Sequence, residues 1–520
     1  MISKDLVTPW FLAAALLVLG TGAGCQDGGG PKPGTTAASA SASGTAAASA
    51  TIELGPNSTL VDRAKAYVIW LDAESYDKAF ALHDEAMKKA VTEKKQRNAW
   101  NAVVGKYGAF QKVLHTSQSE MKGYQIVVVT CQFEGEPLGL RVVFNKEQQV
   151  SGMQFVPPEP ASGASAAASA GPAPKRPQTP KPPFPYDQRE VQYDNPTDGS
   201  RIVGTLTIPK GEGPHPAALL ITGSGGQDRD ETIFHHKPFF VIADHLTRKG
   251  IAVLRVDDRG VGKSTGKAAE ATVETHATDV AVGVEFLRKQ KEIDPKRIGL
   301  IGHSEGGIIA PLVASEDPAI AFIVSLAGTG VTGEQLVPIQ VGLIARRQQK
   351  FPEEVVGKMV AAQQKIMKLV ASGADELAVR PVVKEGIELS VKHAPGQPKM
   401  SAKQLEAAVA DGAAKVCSPW FRSFTRLNPA VPWGKVKCPV LILMGDKDTQ
   451  VPPDANLPPL QQALAGNRSA RFEKREGLNH LFQHAETGFS DEYATIEETF
   501  DPATLELMAS WLGDQVLKTK

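Results

Sequence analysis

At 520 residues the chain exceeds one ordinary domain, so two or more cores are expected. Its 57 Lys and Arg balance 57 Asp and Glu, which leaves no overall basic field to attract nucleic acid. The hydrophobic share of 42% is that of an ordinary globular protein.

Residues 1–25 read as a signal peptide: Lys4, then the apolar run WFLAAALLVLG, then small residues up to Cys25. The run is far shorter than the roughly 20 apolar residues that span a bilayer. The segment GAGC at 22–25 resembles the lipobox of bacterial lipoproteins, although Gly22 stands where that motif usually has Leu. The resemblance implies export, a lipidated Cys25 and attachment to an envelope membrane by a lipid anchor. Ordinary cleavage near Ala23 is the alternative. Beyond Cys25 the chain has Cys131, Cys417 and Cys438, an odd number, so disulfides are not expected to be its main support. Cys417 and Cys438 either bridge or remain buried thiols.

Two low-complexity stretches, 26–56 and 158–185, are poor in large apolar residues and read as linkers. The region between them, 57–157, reads as a small α+β domain. Val61, Ala64, Val68, Leu71, Phe80 and Leu82 recur at helical spacing, and YQIVVVTCQF, LGLRVVFN and VSGMQFVP follow as strands. With its WNAVVGKYGAF stretch and its closing strand through Phe155 and Pro157, this region resembles the cone-shaped cystatin-like or nuclear-transport-factor-like domains ahead of some exported bacterial hydrolases. That implies a docking or spacer role, with small-ligand binding as the alternative.

From 186 to 520 the pattern changes to strands alternating with helices, which predicts an α/β domain with a doubly wound, mostly parallel sheet. The strand candidates are AALLITG (217–223), IAVLRV (251–256), RIGLIG (297–302), AFIVSLAG (321–328) and PVLILMG (439–445). Such continuous apolar runs suit strands covered on both faces. Residues 331–430 show helical periodicity and no strand, and read as an inserted helical cap.

The pattern G-x-S-x-G occurs twice, as GKSTG (262–266) and GHSEG (302–306), so context must decide. GHSEG has an apolar strand before it and an apolar helix after it, which is what a nucleophile elbow needs. GKSTG runs into polar sequence, and as a phosphate loop it fails because Asp257 replaces the first Gly. Ser304 is therefore the nucleophile candidate and Ser264 a loop residue. A serine hydroxyl needs a base oriented by a third group. After Ser304, LILMGDKD offers an acid at a strand end and GLNHLFQ offers His480, with His484 close by. Asp446 and Asp448 both stand on that loop as acid candidates. The glycine-rich loop ITGSGGQDRD can bring backbone N–H groups close to a reacting oxygen.

Taken in order, GSGGQDRDE, RVDDRGVGKSTG, IGHSEGG, SPWFRSF, VLILMGDKDTQVP and LNHLFQ resemble the α/β-hydrolase superfamily, nearest to bacterial esterases and dienelactone-hydrolase-like or prolyl-oligopeptidase-like members. The resemblance covers roughly Tyr186 to Leu517. It implies Ser304, Asp448 and His480 as a catalytic triad, Asp448 matching the family's acid position better than Asp446. It also implies an oxyanion hole from the N–H groups of Glu305 and Ser224, with Gly225 as the fallback for Ser224. Arg259 and Gly260 belong to a turn the family shares and read as structural. Trp420, Phe421 and Phe424 either line an acyl pocket or pack the cap on the core. The activity implied is hydrolysis of small-molecule carboxylic esters through an acyl-enzyme, with no metal and no organic cofactor. A prolyl-oligopeptidase-like serine peptidase and a non-catalytic envelope binding protein are the alternatives.

Overall fold

The computed structural model describes residues 54–55, 58–121, 124–134, 137–156, 175–393 and 400–517. The signal peptide, Cys25, the first linker except residues 54–55, and the start of the second lie outside the described residues. The chain divides into two compact units, with the change between them near residue 172.

In the first unit, a capping box between Thr59 and Asp62 starts helix α1 (Leu60–Asp72). The helical region is α1, α2 (Tyr76–Ala81), α3 (Glu85–Ala90) and α4 (Glu93–Tyr107). Four strands then form an antiparallel meander: β1 (Phe110–Met121), β2 (Tyr124–Phe133), β3 (Pro137–Phe144) and β4 (Val150–Val156). β2 to β4 match the expected strands. β1, FQKVLHTSQSEM, is too polar to have announced itself. Trp100, Phe133, Phe144 and Leu71 anchor the core between helices and sheet.

The second unit is built on an eight-stranded sheet, with the order β12-β11-β10-β9-β7-β8-β6-β5. These strands are β5 (Asp187–Asp194), β6 (Arg201–Ile208), β7 (His215–Ile221), β8 (Ala252–Val256), β9 (Ile293–His303), β10 (Ile323–Leu326), β11 (Val440–Gly445) and β12 (Ala470–Arg475). All neighbours pair in parallel except those of β6, which runs antiparallel to both β5 and β8. Along β7, Ala217, Leu219 and Ile221 face one core and Ala218 and Leu220 the other. Helices α5 (Pro238–Arg248) and α15 (Pro502–Leu512) cover the second face. The first face is covered by α6 (Val273–Arg288) and α7 (Gly306–Glu316).

Among the described residues between β10 and β11 the elements are helical, as expected of a cap: α8 (Gly333–Leu343), α9 (Glu353–Ala371), α10 (Glu376–His393), α11 (Ala402–Val416), α12 (Pro419–Arg426) and α13 (Ala430–Lys435). Helix α14 (Pro453–Ala463) joins β11 to β12. Residues 175–185, expected to end the second linker, are instead part of this unit. The Arg176 guanidinium donates to the Ile496 and Ala494 carbonyls at 2.8 and 3.0 Å, and the Gln178 amide donates to the Phe500 carbonyl at 2.6 Å. A long basic or amide side chain satisfies buried carbonyls in a way that low apolar content does not reveal. Cys417 and Cys438 are both free thiols, which settles the open pairing.

Strand order places the functional edge. β7 and β8 are neighbours, but the chain then crosses to the other side of β7 for β9. The carboxyl ends of β7 and β9 therefore lie side by side at a topological switch point, where open α/β sheets form their crevice. Ile221 pairs with Gly302 there, and His303 pairs with Leu326 of β10.

Candidate active site

Ser304 follows the last residue of β9 and holds a left-handed backbone, with φ of 54°. A non-glycine residue in that region is strained and persists only when its surroundings fix it. Here they do. The Ser304 N–H donates to the Leu326 carbonyl at 2.8 Å, and α7 starts two residues later. A Cβ on Gly302 would lie 2.0 Å from the Gly306 carbonyl oxygen, and one on Gly306 would lie 2.2 Å from that of Ile221. Both glycines of GHSEG are thus demanded by the tight crossing of strand and helix. GKSTG makes no such elbow. Ser264 is a buried loop residue whose hydroxyl donates to the Asp257 carbonyl at 2.7 Å and receives the Val203 N–H at 2.9 Å.

Asp448 and His480 meet on neighbouring loops. After β11, Asp448 places Oδ2 2.8 Å from His480 Nδ1, and both residues are buried. Asp448 Oδ1 accepts the N–H groups of Gln450 and Val451, each at 2.8 Å, so the carboxylate is held from both sides. With Nδ1–H donating to Asp448, Nε2 is the nitrogen left to act as a base. Asp446 is occupied elsewhere, accepting the Gly477 N–H at 2.7 Å. His484 is exposed and lies 2.9 Å from Glu498. His480 packs against His303, the residue before Ser304, with ring centroids 4.8 Å apart.

The glycine loop leaves β7 beside this elbow. Thr222 donates its hydroxyl to Asp258 at 2.8 Å, and the Gln227 N–H donates to the other oxygen of that carboxylate at 2.9 Å. Asp258 thus staples both ends of the loop. Burial pushes its carboxyl up to about 7, against the lowering pull of His276 and the two hydrogen bonds. The Gly223 N–H is taken by Glu231, so Gly223 is no oxyanion donor. Ser224 is fully buried next to it. Glu305 stands at the N-terminus of α7, where the first N–H groups have no partner within the helix. Arg259 is structural, its guanidinium binding Asp279 at 2.7 and 2.8 Å and Asp198 at 2.7 Å.

A cavity of about 250 Å³ opens beside this loop, lined among others by Gly225, Gly226, Ala268, Ala269, Trp420 and Phe421. The Trp420 indole N–H donates to the Glu305 carboxylate at 2.8 Å, and His276 Nδ1 lies 3.3 Å from the same oxygen. Burial alone would lower His276, but the hydrogen bond and charge of Glu305 outweigh it and raise its pKa. Of the three cap aromatics, Trp420 and Phe421 line the cavity. Phe424 stacks on Trp420 at 5.3 Å and belongs to the core. Among the described residues, His484, Glu498 and Asp501 form the one group with metal-ligand character, their ligand atoms within 4.8 Å. Asp501 already caps α15 and His484 already meets Glu498, so hydrogen bonding accounts for that group.

Sequence reasoning overlooked Glu231, His303, His276 and the role of Asp258. Only the run QDRDE after the glycine loop hinted at Glu231, because a buried carboxylate has no periodic signature.

An eight-stranded, mostly parallel sheet, a serine elbow at its switch point, and an acid and a histidine on the loops after β11 and β12 together define the α/β-hydrolase fold. Residues 233–395 match a family described as "Serine aminopeptidase, S33". The match includes Ser304 and ends before Asp448 and His480. Residues 64–153 match a family described as a protein of unknown function, DUF3887. Related proteins include Esterase EstD of Thermotoga maritima, 25% identical over 49% of this chain and 57% of its own length. Thiohydrolase aneE of Aspergillus aculeatus is 29% identical over 36% of this chain and 55% of its own. The chain thus spans little more than half the length of these two relatives. Among solved structures, the Pyrococcus furiosus esterase Pf2001 aligns at 18% identity with a TM-score of 0.38, covering 63% of this chain and 90% of that one.

Proposed function

We propose that the protein is a serine hydrolase that cleaves small carboxylic esters. The observation that carries this reading is the strained Ser304 elbow at the switch point beside the buried Asp448–His480 pair. His480 Nε2 takes the Ser304 hydroxyl proton as Oγ attacks the ester carbonyl, and Asp448 holds the tautomer and stabilises the imidazolium. The N–H groups of Glu305 and Ser224 receive the developing oxyanion. His480 then returns the proton to the leaving alcohol, and water, deprotonated by the same histidine, releases the acyl group from Ser304. The esterase and thiohydrolase relatives fit acyl transfer of this kind.

The serine aminopeptidase family match favours a second reading, amide cleavage by the same residues. Fluorophosphonate labelling followed by matched panels of p-nitrophenyl esters and aminoacyl p-nitroanilides separates the two. Ester turnover with Ser304 labelled is expected. Turnover confined to the anilides would replace the first reading with the second, and no labelling would remove both.

The location proposed is the cell envelope, with Cys25 lipidated, which the leader and GAGC support. One acyl chain holds weakly and two or three hold stably, so Cys25→Ser should release the protein from membranes. An unlipidated Cys25 in the mature wild type would remove this proposal.

A further inference from the structure

A second buried carboxylate–imidazole pair stands beside the proposed triad, and the mechanism leaves it unused. Glu231 and His303 are 1% and 5% exposed. Glu231 Oε1 receives the Gly223 N–H at 2.7 Å and lies 2.8 Å from His303 Nδ1. Across the ring, His303 Nε2 lies 3.0 Å from the backbone carbonyl oxygen of His480. A carbonyl oxygen only accepts, so Nε2 carries a proton; facing Nδ1, an ionised Glu231 accepts a second proton from the ring, whereas a neutral one would donate its own. Neither charge would persist in this interior alone, and each is the other's counter-ion. Burial lowers the His303 pKa, but the charge and hydrogen bond of Glu231, the His480 carbonyl and, farther off, Asp448 outweigh it and raise the value. Glu231 keeps this place at a left-handed φ of 51°, a conformation that surrounding contacts must impose.

The three groups that the pair joins are the ones whose alignment matters. Gly223 precedes the oxyanion donor Ser224, His303 precedes the nucleophile, and His480 is the base. We propose that Glu231 and His303 are positioning residues, a buried carboxylate–imidazolium pair that fixes the oxyanion turn and the base-bearing loop against the Ser304 elbow. This rests on the serine-hydrolase reading for its effect on rate, while the charge state stands without it.

Two measurements test it on the full-length protein. With ring-¹⁵N histidine, His303 should show both nitrogens protonated at neutral pH, assigned by loss of the signal in His303→Gln. A singly protonated ring would overturn the ion pair whatever the protein hydrolyses. Glu231→Gln keeps the shape but removes the counter-charge. It should lower kcat and the fluorophosphonate labelling rate together, on the order of 10²-fold, since small misplacement of reacting groups costs that much. KM should stay within about twofold, and the alkaline limb of the pH–rate profile should move to lower pH as His303 loses its proton sooner. The titratable groups facing His303 are Glu231, His480 and Asp448, and only Glu231 is altered. Glu231→Gln with an unchanged kcat and pH profile would overturn the positioning role. Should that variant not fold, the wild-type ring signals still decide the charge state, and Glu231→Asp, which keeps the charge but shortens the arm, should lower kcat and labelling together; an unchanged kcat there would overturn the positioning role. A wild type that neither labels nor turns over ester would remove the functional reading and leave the ion-pair result intact.

Discussion

His480 Nδ1 sits 2.8 Å from Asp448 Oδ2, while Asp446, two residues earlier on the same loop, turns away to accept the Gly477 N–H. The loop therefore presents two carboxylates with separable jobs. Asp448→Asn leaves the shape but permits the wrong histidine tautomer, and should lower kcat on the order of 10⁴-fold. Asp446→Asn keeps an amide oxygen to accept the Gly477 N–H and removes only a charge, so it should leave kcat nearly intact. Steady-state kinetics on one ester decide this, and the reverse ranking would show that the acid is Asp446.

The two G-x-S-x-G serines make a matching pair. Ser304→Ala should abolish fluorophosphonate labelling and reduce kcat on the order of 10⁶-fold. Ser264→Ala removes two buried hydrogen bonds and leaves the Val203 N–H unpaired. It should lower stability by about 1–3 kcal/mol in urea melts and keep the label. Labelling that survives in Ser304→Ala would refute the elbow assignment.

Those features were legible because their signals are local. GHSEG lies between an apolar strand and an apolar helix, and the acid and histidine each follow a recognisable strand–loop junction. The five strands read from the sequence are the buried centre of the sheet. β5, β6 and β12 went unread: β5 has only Val191 and Tyr193 buried among its first seven residues, and β12 alternates weakly as an edge strand. β6 is apolar, but its run is interrupted by Gly204, which the sheet needs because a Cβ there would lie 2.3 Å from the Arg255 carbonyl oxygen. The Glu231–His303 and Glu305–His276 pairs join residues 72 and 29 positions apart. Only the completed sheet brings them together, so no spacing rule could find them.

The cavity beside the glycine loop gives a specificity prediction. Ala269 lines it and is exposed, on the short 3₁₀ turn Ala268–Glu270. Ala269→Trp should therefore fold normally, within about 0.5 kcal/mol of wild type. If the cavity receives the acyl chain, the indole fills part of its volume and raises KM for long-chain esters. Each lost methylene contact is worth about 1 kcal/mol or slightly more, so a tenfold or greater preference for short chains should appear. Equal kcat/KM changes for acetyl and octanoyl esters would place the acyl chain elsewhere.

The last prediction concerns Asp258, which staples the glycine loop through Thr222 and Gln227. Its carboxyl is pushed from 3.8 up to about 7, chiefly by burial. The folded state thus holds a proton that the unfolded chain has already released between those two values. Stability must then fall as pH rises through that window, and the loss is complete above the folded value. That rise corresponds to an upper figure of about 4 kcal/mol, reduced by solvent screening because Asp258 lines the adjoining cavity. His276 acts with the same sign, since its raised pKa means that its contribution is lost as pH rises above the unfolded value of 6.5. Asp258→Asn removes the first component but forfeits one acceptor, so the variant should melt slightly below wild type near pH 5. By about pH 8 the difference should shrink or reverse, because only wild type then carries the uncompensated charge. Melting temperatures of both proteins across that range are the measurement. A constant gap would mean that Asp258 is already ionised at pH 5 and that Thr222 and Gln227 stabilise its charge more than burial opposes it.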